Sequence, residues 1–140
     1  MSRAIVFKED YMPNYVYDHV HFIASDPLKA AEFYEKAFGA KRTSVTKHND
    51  GAISIMLNLT GTKLLIRSPQ THEARTHLDS PQKYFGLEHW GVLTDNMDEA
   101  VKNLKTMGVQ FIQEVTRFPG LSIAYVMGPD NVIIEIMERK

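Results

Sequence analysis

The sequence predicts an α+β domain built from two βαβββ modules, and three observations carry that reading. The chain repeats itself at half its length: Asp18-His19-Val20 recurs as Glu88-His89-Trp90 seventy positions on, Ala30 as Ala100, and Gly39 as Gly108 one position short. A period near half the chain means two similar modules rather than a solenoid. In each half, a strand-like run is followed by a segment of helical spacing and then by three more strand-like runs. Three adjacent strands per half favour a mostly antiparallel sheet with the helix on one face.

The elements follow in order. Residues 15–24 mix alternation with β-branched and aromatic side chains, which predicts a strand. Asp26 is a good N-cap and Pro27 suits the first helical position. Leu28, Ala31, Tyr34 and Phe38 recur at helical spacing, and Gly39 closes the helix. Lys41 to Lys47, Ile53 to Leu59 and Lys63 to Arg67 read as strands, with a turn at Asn49-Asp50-Gly51 and another about Gly61. Leu87 to Thr94 opens the second half as a strand, with Asp95 or Asn96 as the next cap. Met97 to Met107 reads as a helix with Ala100, Val101 and Leu104 inward, ended by Gly108. Val109 to Thr116, Leu121 to Met127 and Val132 to Glu138 are strands, separated by turns at Pro119-Gly120 and Gly128-Pro129-Asp130-Asn131. The modules are thus 15–67 and 87–140 of a single domain at 15–140, with a polar linker at 68–86 and an extension at 1–14.

Composition narrows the function classes. The net charge of −1 and the lack of a basic stretch argue against nucleic acid as a partner. No apolar run is long enough to cross a membrane, and Met1 to Asn14 lacks the cationic start and apolar core of a secretory signal. A cytoplasmic location is the default expectation. The absence of cysteine removes disulfides and thiolate chemistry. No Gly-rich phosphate loop and no Gly-x-Ser-x-Gly elbow is present. Met56, Met97, Met107, Met127 and Met137 read as core filler. His48, His72 and His77 read as loop histidines, the last two beside Arg75 in a linker that could fold over the site as a lid.

Glu135 is the most unusual residue. It lies within Val-Ile-Ile-Glu-Ile-Met and shares a strand face with Ile133 and Met137. An ionised carboxylate buried there needs a cation or a hydrogen-bond network, unless the strand is an edge from which it reaches solvent or a lysine. His19 and His89 open the first strand of each module. If the modules pack about a pseudo-twofold, both can face one pocket with Glu135. Two imidazoles and one carboxylate make the facial arrangement suited to Fe(II) or Mn(II), and zinc also accepts three protein ligands and water.

Asp18-His19-Val20-His21-Phe22, with Asp26-Pro27 and Phe33-Tyr34-Glu35-Lys36-Ala37-Phe38-Gly39, resembles the opening module of the vicinal oxygen chelate superfamily, the glyoxalase, bleomycin-resistance and dioxygenase group. Glu88-His89-Trp90-Gly91-Val92, Gly108-Val109 and Gly128-Pro129-Asp130-Asn131-Val132-Ile133-Ile134-Glu135 resemble its second module. The resemblance covers nearly the whole chain after Tyr15 and implies paired modules forming one cupped sheet around a central metal. It places the usual ligand positions on His19, Leu65, His89 and Glu135. Leu65 departs from the pattern, since glyoxalase I enzymes usually carry Glu there and the methylmalonyl-CoA epimerase branch Gln. Three ligands remain, as in extradiol dioxygenases and manganese fosfomycin-resistance transferases.

Other site candidates follow. His21 lies two residues after His19 on the same strand face, either as an acid–base group beside the metal or as a rim histidine bonded to a backbone carbonyl. Tyr125 stands ten residues before Glu135, the spacing of a substrate-contacting tyrosine in the extradiol enzymes it resembles. A two- or four-residue loop through Pro129-Asp130 would turn Tyr125 away, and a three-residue loop would bring it onto the same face. The extradiol histidine that normally precedes this tyrosine is missing from Arg117-Phe118-Pro119-Gly120-Leu121. Trp90 and Phe118, with Phe85, are candidates for lining the substrate pocket.

The expected protein is a divalent-metal-dependent enzyme that binds a small molecule through two adjacent oxygens. The metal is Fe(II) or Mn(II), with Zn(II) or Ni(II) possible, and the chemistry is extradiol-dioxygenase-like. The alternatives are a glyoxalase-like lyase or isomerase, a fosfomycin-type transferase, and a non-catalytic protein that sequesters a drug. Small members of the group commonly pair, so a homodimer is expected, with the modules pairing within a chain or across chains.

Overall fold

The computed structural model describes residues 17–73 and 85–140. The expected extension, the first two residues of the expected first strand and most of the linker, including Arg75 and His77, lie outside the described residues. The first module runs β1 (His19–Ile23), α1 (Pro27–Phe38), β2 (Lys41–Lys47), β3 (Ile53–Leu59) and β4 (Thr62–Arg67). The second runs β5 (His89–Leu93), α2 (Met97–Thr106), β6 (Phe111–Phe118), β7 (Leu121–Met127) and β8 (Ile133–Arg139). The α+β class and the paired βαβββ modules are therefore as the sequence predicts. The strands form two four-stranded sheets, ordered β1-β4-β3-β2 and β5-β8-β7-β6. In each sheet the first and last strands of the module pair in parallel and the other pairs are antiparallel.

The register repeats as faithfully as the sequence. His19 pairs with Lys63 and His21 with Leu65; seventy residues on, His89 pairs with Ile133 and Gly91 with Glu135. Leu65 and Glu135 are therefore structural counterparts, as are His21 and Gly91.

Local chemistry explains the helices. Asp26 caps α1 by accepting the Lys29 N–H at 3.1 Å, and Gly39 at φ 70° ends it with its N–H on the Glu35 carbonyl. The buried stripe is Pro27, Ala30, Ala31 and Tyr34. Leu28, expected inward, is exposed, because it sits about 100° round the helix from the centre of that stripe. Asn96 caps α2 through the Glu99 N–H at 3.0 Å; Met97 and Leu104 are buried, with Ala100 and Val101 packed against the core. Met97 is indeed core filler, whereas Met107 is exposed beyond the end of α2.

One hydrophobic cluster spans both modules. Each sheet contributes one face to it: Ile55, Leu57, Leu64 and Ile66 from the first, Ala124, Val126, Ile134 and Ile136 from the second. At the module junction Trp90 packs against Phe22, Tyr34 and Phe38 with ring centroids 5.7–6.4 Å apart. Burial pushes the Tyr34 hydroxyl far above the usual tyrosine range. The modules are also tied at their loops, where Ser25 Oγ donates to Asp130 Oδ1 at 2.6 Å and the Ser25 N–H to Oδ2 at 3.2 Å. The outer edges are guarded. Every residue of β2 is exposed, including Lys41, Arg42 and Lys47, and β6 exposes Gln113, Glu114 and Arg117.

Ser25→Ala removes the hydroxyl bond to the Asp130 carboxylate and leaves the core intact. The expected loss is about 1 kcal/mol, at the lower end for a bond to a charged group because the pair is exposed. Urea unfolding followed through Trp90 fluorescence reports it directly, because the lone tryptophan sits at the junction.

Candidate functional site

The face of each sheet turned away from the shared core carries the predicted site residues. Strand alternation sends Leu64 and Ile66 inward and Leu65 outward, and likewise buries Ile134 and Ile136 while turning Glu135 out. On the second sheet three strands converge on Glu135. β5 brings His89, whose Nε2 lies 3.3 Å from Glu135 Oε2. β7 brings Tyr125, directly opposite Glu135 in the ladder, and its hydroxyl donates to Glu135 Oε1 at 2.9 Å. The 128–132 connection keeps the parity of the three-residue loop, so Tyr125 shares the Glu135 face. The His89 and Tyr125 rings meet edge to face at 5.3 Å.

Glu135 is 15% exposed and His89 29% exposed, so the pair is partly withdrawn from water yet reachable. Burial, followed by the Glu135 hydrogen bond and charge, pushes the Tyr125 hydroxyl above the usual range, so it stays a donor at neutral pH. Gly91 lies beside this arrangement. A Cβ there would stand 3.4 Å from both Glu135 Oε2 and Met137 Cε, in close contact with the carboxylate.

The first module presents a related but different face. His19 and His21 lie on it with ring centroids 6.4 Å apart, and Leu65 and Met56 stand where the second module has Glu135 and Tyr125. Desolvation first, then the charges of Arg67 and His19, hold His21 below the usual histidine range against an opposing pull from Glu73. His21 is therefore neutral at pH 7. Arg67 is engaged by Glu73 through two bonds of 2.7 and 2.9 Å.

Within one chain, the structure brings His89, Glu135 and Tyr125 together and leaves His19 and His21 on the other module. Among the described residues no group of three or more His, Asp or Glu is close enough to hold a metal ion. Trp90 points the opposite way from His89, into the module junction, where its buried Nε1 has no hydrogen-bond partner among the described residues. It also lines a cleft of about 850 Å³ between the modules with Phe38, Leu59 and Asn103. Phe118 is half exposed at the β6–β7 turn, Phe85 is fully exposed and His72 is exposed.

Two residues that the sequence reading passed over belong to this geometry. Asp18 Oδ2 lies 2.6 Å from His19 Nδ1, and Glu88 Oε2 lies 2.5 Å from His89 Nδ1. The signal for them was an acid immediately before each repeated histidine. The hydrogen bonds from His19 and Lys63 hold the Asp18 carboxyl below the usual carboxylate range.

A sequence profile described as Glyoxalase/Bleomycin resistance protein/Dioxygenase superfamily matches residues 16–136. No curated relative matches the sequence. Among solved structures, a glyoxalase family protein from Bacillus cereus superimposes with a TM-score of 0.77 at 15% identity, covering 96% of this chain and 99% of that one. A glyoxylase/bleomycin resistance protein/dioxygenase domain from Frankia sp. EAN1pec gives 0.74 at 17% identity, covering 91% and 100%. A mutant of the fosfomycin resistance protein FosX from Listeria monocytogenes, complexed with Mn(II) and 1S,2S-dihydroxypropylphosphonic acid, gives 0.67 at 18% identity, covering 86% and 90%. At these identities the likeness establishes the fold.

Gly91→Ala should leave the fold intact and disturb the site, because the added methyl meets the Glu135 carboxylate and the flexible end of Met137. The expected outcome is an unchanged circular dichroism spectrum with shifted side-chain NMR signals for Glu135 and Met137. Heteronuclear spectra of the two proteins measure it.

Proposed function

The chain belongs to the glyoxalase/bleomycin resistance protein/dioxygenase superfamily, and on that premise we propose that it is a divalent-metal-dependent enzyme for a small molecule bearing two adjacent oxygens. The observation that carries the proposal is the partly buried Glu135 carboxylate, held beside His89 Nε2 on a face that also presents Tyr125. The donors fit a divalent ion: a carboxylate and two imidazoles match Fe(II) or Mn(II) best and also accept Zn(II) or Ni(II). His89 and Glu135 of one copy and His19 of a second copy would hold it. A homodimer with two such sites follows, because His19 lies apart from the other two within one chain. The outward faces favour this pairing, since Met56, Leu65, Ile123 and Met137 leave apolar surface only half buried.

A bound divalent ion supplies Lewis acidity to chelated substrate oxygens. The chain supplies the rest. Tyr125 holds Glu135 Oε1, which leaves Oε2 directed toward His89. Leu65 offers no donor at the fourth ligand position of the family, so that position would be left to substrate rather than to protein. His21, neutral at pH 7, is the group to take the proton from a substrate hydroxyl as it binds. These features favour an extradiol-dioxygenase-like reaction on a catechol over a glyoxalase-like lyase or isomerase, which normally uses a carboxylate where Leu65 stands.

Protein purified without oxygen should contain about one Fe(II) or Mn(II) per chain, and Glu135→Ala should lose it. Oxygen uptake with a panel of catechols then tests the reaction. A metal-loaded protein that consumes no oxygen favours the lyase reading, and a wild type that binds no metal leaves small-molecule sequestration.

The shared site has its own test. His19→Ala and Glu135→Ala proteins should each bind no metal alone. Mixed and reannealed, they should recover roughly a quarter of the wild-type sites, because each hybrid dimer restores one intact site. No recovery would mean that the ligands come from a single chain.

Leu65→Glu places a carboxylate beside the ion. The metal-free protein should melt lower than wild type, and the metal-bound protein should regain the difference. Thermal melting with and without Mn(II) measures both. Equal destabilisation in the two states would mean that Leu65 does not face the ion.

A further inference from the structure

We infer that Asp18 and Glu88 are positioning residues, each fixing the ring of the histidine that follows it so that Nε2 of His19 and His89 is presented to the shared site. The inference rests on the metal reading above. Its observation is a contact made twice, in two modules, by two different side chains. Asp18 Oδ2 meets His19 Nδ1 at 2.6 Å, and Glu88 Oε2 meets His89 Nδ1 at 2.5 Å. An aspartate and a glutamate differ by a methylene, yet both reach the same ring nitrogen. The repeat therefore preserves the contact rather than the residue.

An ionised carboxylate only accepts hydrogen bonds, so the partner Nδ1 must carry a proton. In water a neutral histidine ring carries its proton mainly on Nε2. The two acids reverse that preference and leave the Nε2 lone pair for a cation. A carboxylate behind an imidazole also orients the ring and raises its basicity as a ligand. In His89, Nε2 is the nitrogen that faces Glu135.

The two pairs are not equivalent. Asp18 Oδ1 also accepts from Lys63 Nζ at 3.0 Å, and Lys63 is the cross-strand partner of His19. The corresponding partner of His89 is Ile133, which offers no cation. The Asp18 charge is thus divided between a ring and an ammonium group. At Glu88 the neighbouring ladder position does not compete. The loss of Glu88 should therefore weaken metal binding more than the loss of Asp18.

The test uses the full chain, and both acids are exposed, so their removal spares the core. Nitrogen-15 spectra of the metal-free protein near pH 8 report which ring nitrogen is protonated. Nδ1 should be protonated in both rings of the wild type. Glu88→Ala should deprotonate Nδ1 of His89 alone, and Asp18→Ala that of His19 alone. Mn(II) titration should then show affinity reduced about 10–100-fold in Glu88→Ala, less in Glu88→Gln, and less in Asp18→Ala than in Glu88→Ala, with the metal-free melting temperature unchanged. Rings that keep their protonation pattern in the alanine variants would overturn the inference. So would Glu88→Ala binding Mn(II) as tightly as a wild type that binds it. A wild type that takes up no Mn(II) defeats the metal reading instead, and the ring spectra still decide whether the acids set the tautomers.

Discussion

A carboxylate in the middle of an apolar strand must be held by groups that other strands deliver, and the rest of this structure can be read from that requirement. Glu135 is flanked in sequence by isoleucines that the core takes. Its own side chain must turn the other way, and a single strand cannot satisfy it there. Parallel pairing with β5 brings His89 to its side and the bare backbone of Gly91 beneath it. Antiparallel pairing with β7 brings the Tyr125 hydroxyl. A shift of one residue in either ladder would put the carboxylate against Val126 or Trp90 and the core against solvent. The hydrophobic packing of one face thereby fixes the polar geometry of the other.

The two modules show how a repeated scaffold divides its work. Both keep the histidine at the head of the first strand and an acid just before it. Beyond that they diverge. The second module holds the carboxylate and the tyrosine, over a glycine. The first has leucine and methionine at those places and a second histidine where the glycine would be. Neither half of one chain presents all three expected ligands together. The junction of the halves within a chain is an aromatic and aliphatic contact on the core side, made by Phe22, Tyr34, Phe38 and Trp90.

Much of this was legible in the sequence, for identifiable reasons. Strong alternation in β7 and β8 and clear caps at Asp26 and Asn96 set those elements nearly to the residue. The seventy-residue offset aligned Leu65 with Glu135, and the ladders repeat that offset. The first strand begins later than its composition suggests, because aromatic residues on a chain entering the fold look like strand residues whether or not a partner strand is present. Leu28 was misplaced because a leucine at helical spacing is indistinguishable from a core leucine until the alanine stripe claims the inner face. Trp90 reads as a pocket-lining aromatic, and because adjacent strand residues face opposite ways it lines the cleft on the far side from His89. Loop parity left the direction of Tyr125 open, and only the register closes that choice. The acids at 18 and 88 were visible as letters, but their hydrogen bonds depend on rotamers that no pattern encodes.

The guarded outer strands carry a further consequence. A sheet edge with free N–H and C=O groups can recruit another strand, and repeated recruitment builds fibres. Here β2 exposes Lys41, Arg42 and Lys47 at its two ends, and β6 exposes glutamine, glutamate and arginine. Adding a like strand to β2 would place ammonium and guanidinium groups side by side. Growth through the outer edges is therefore opposed by charge, while the half-buried faces around Glu135 and Leu65 are free of that repulsion. A protein built this way resists open-ended growth through these sheet edges.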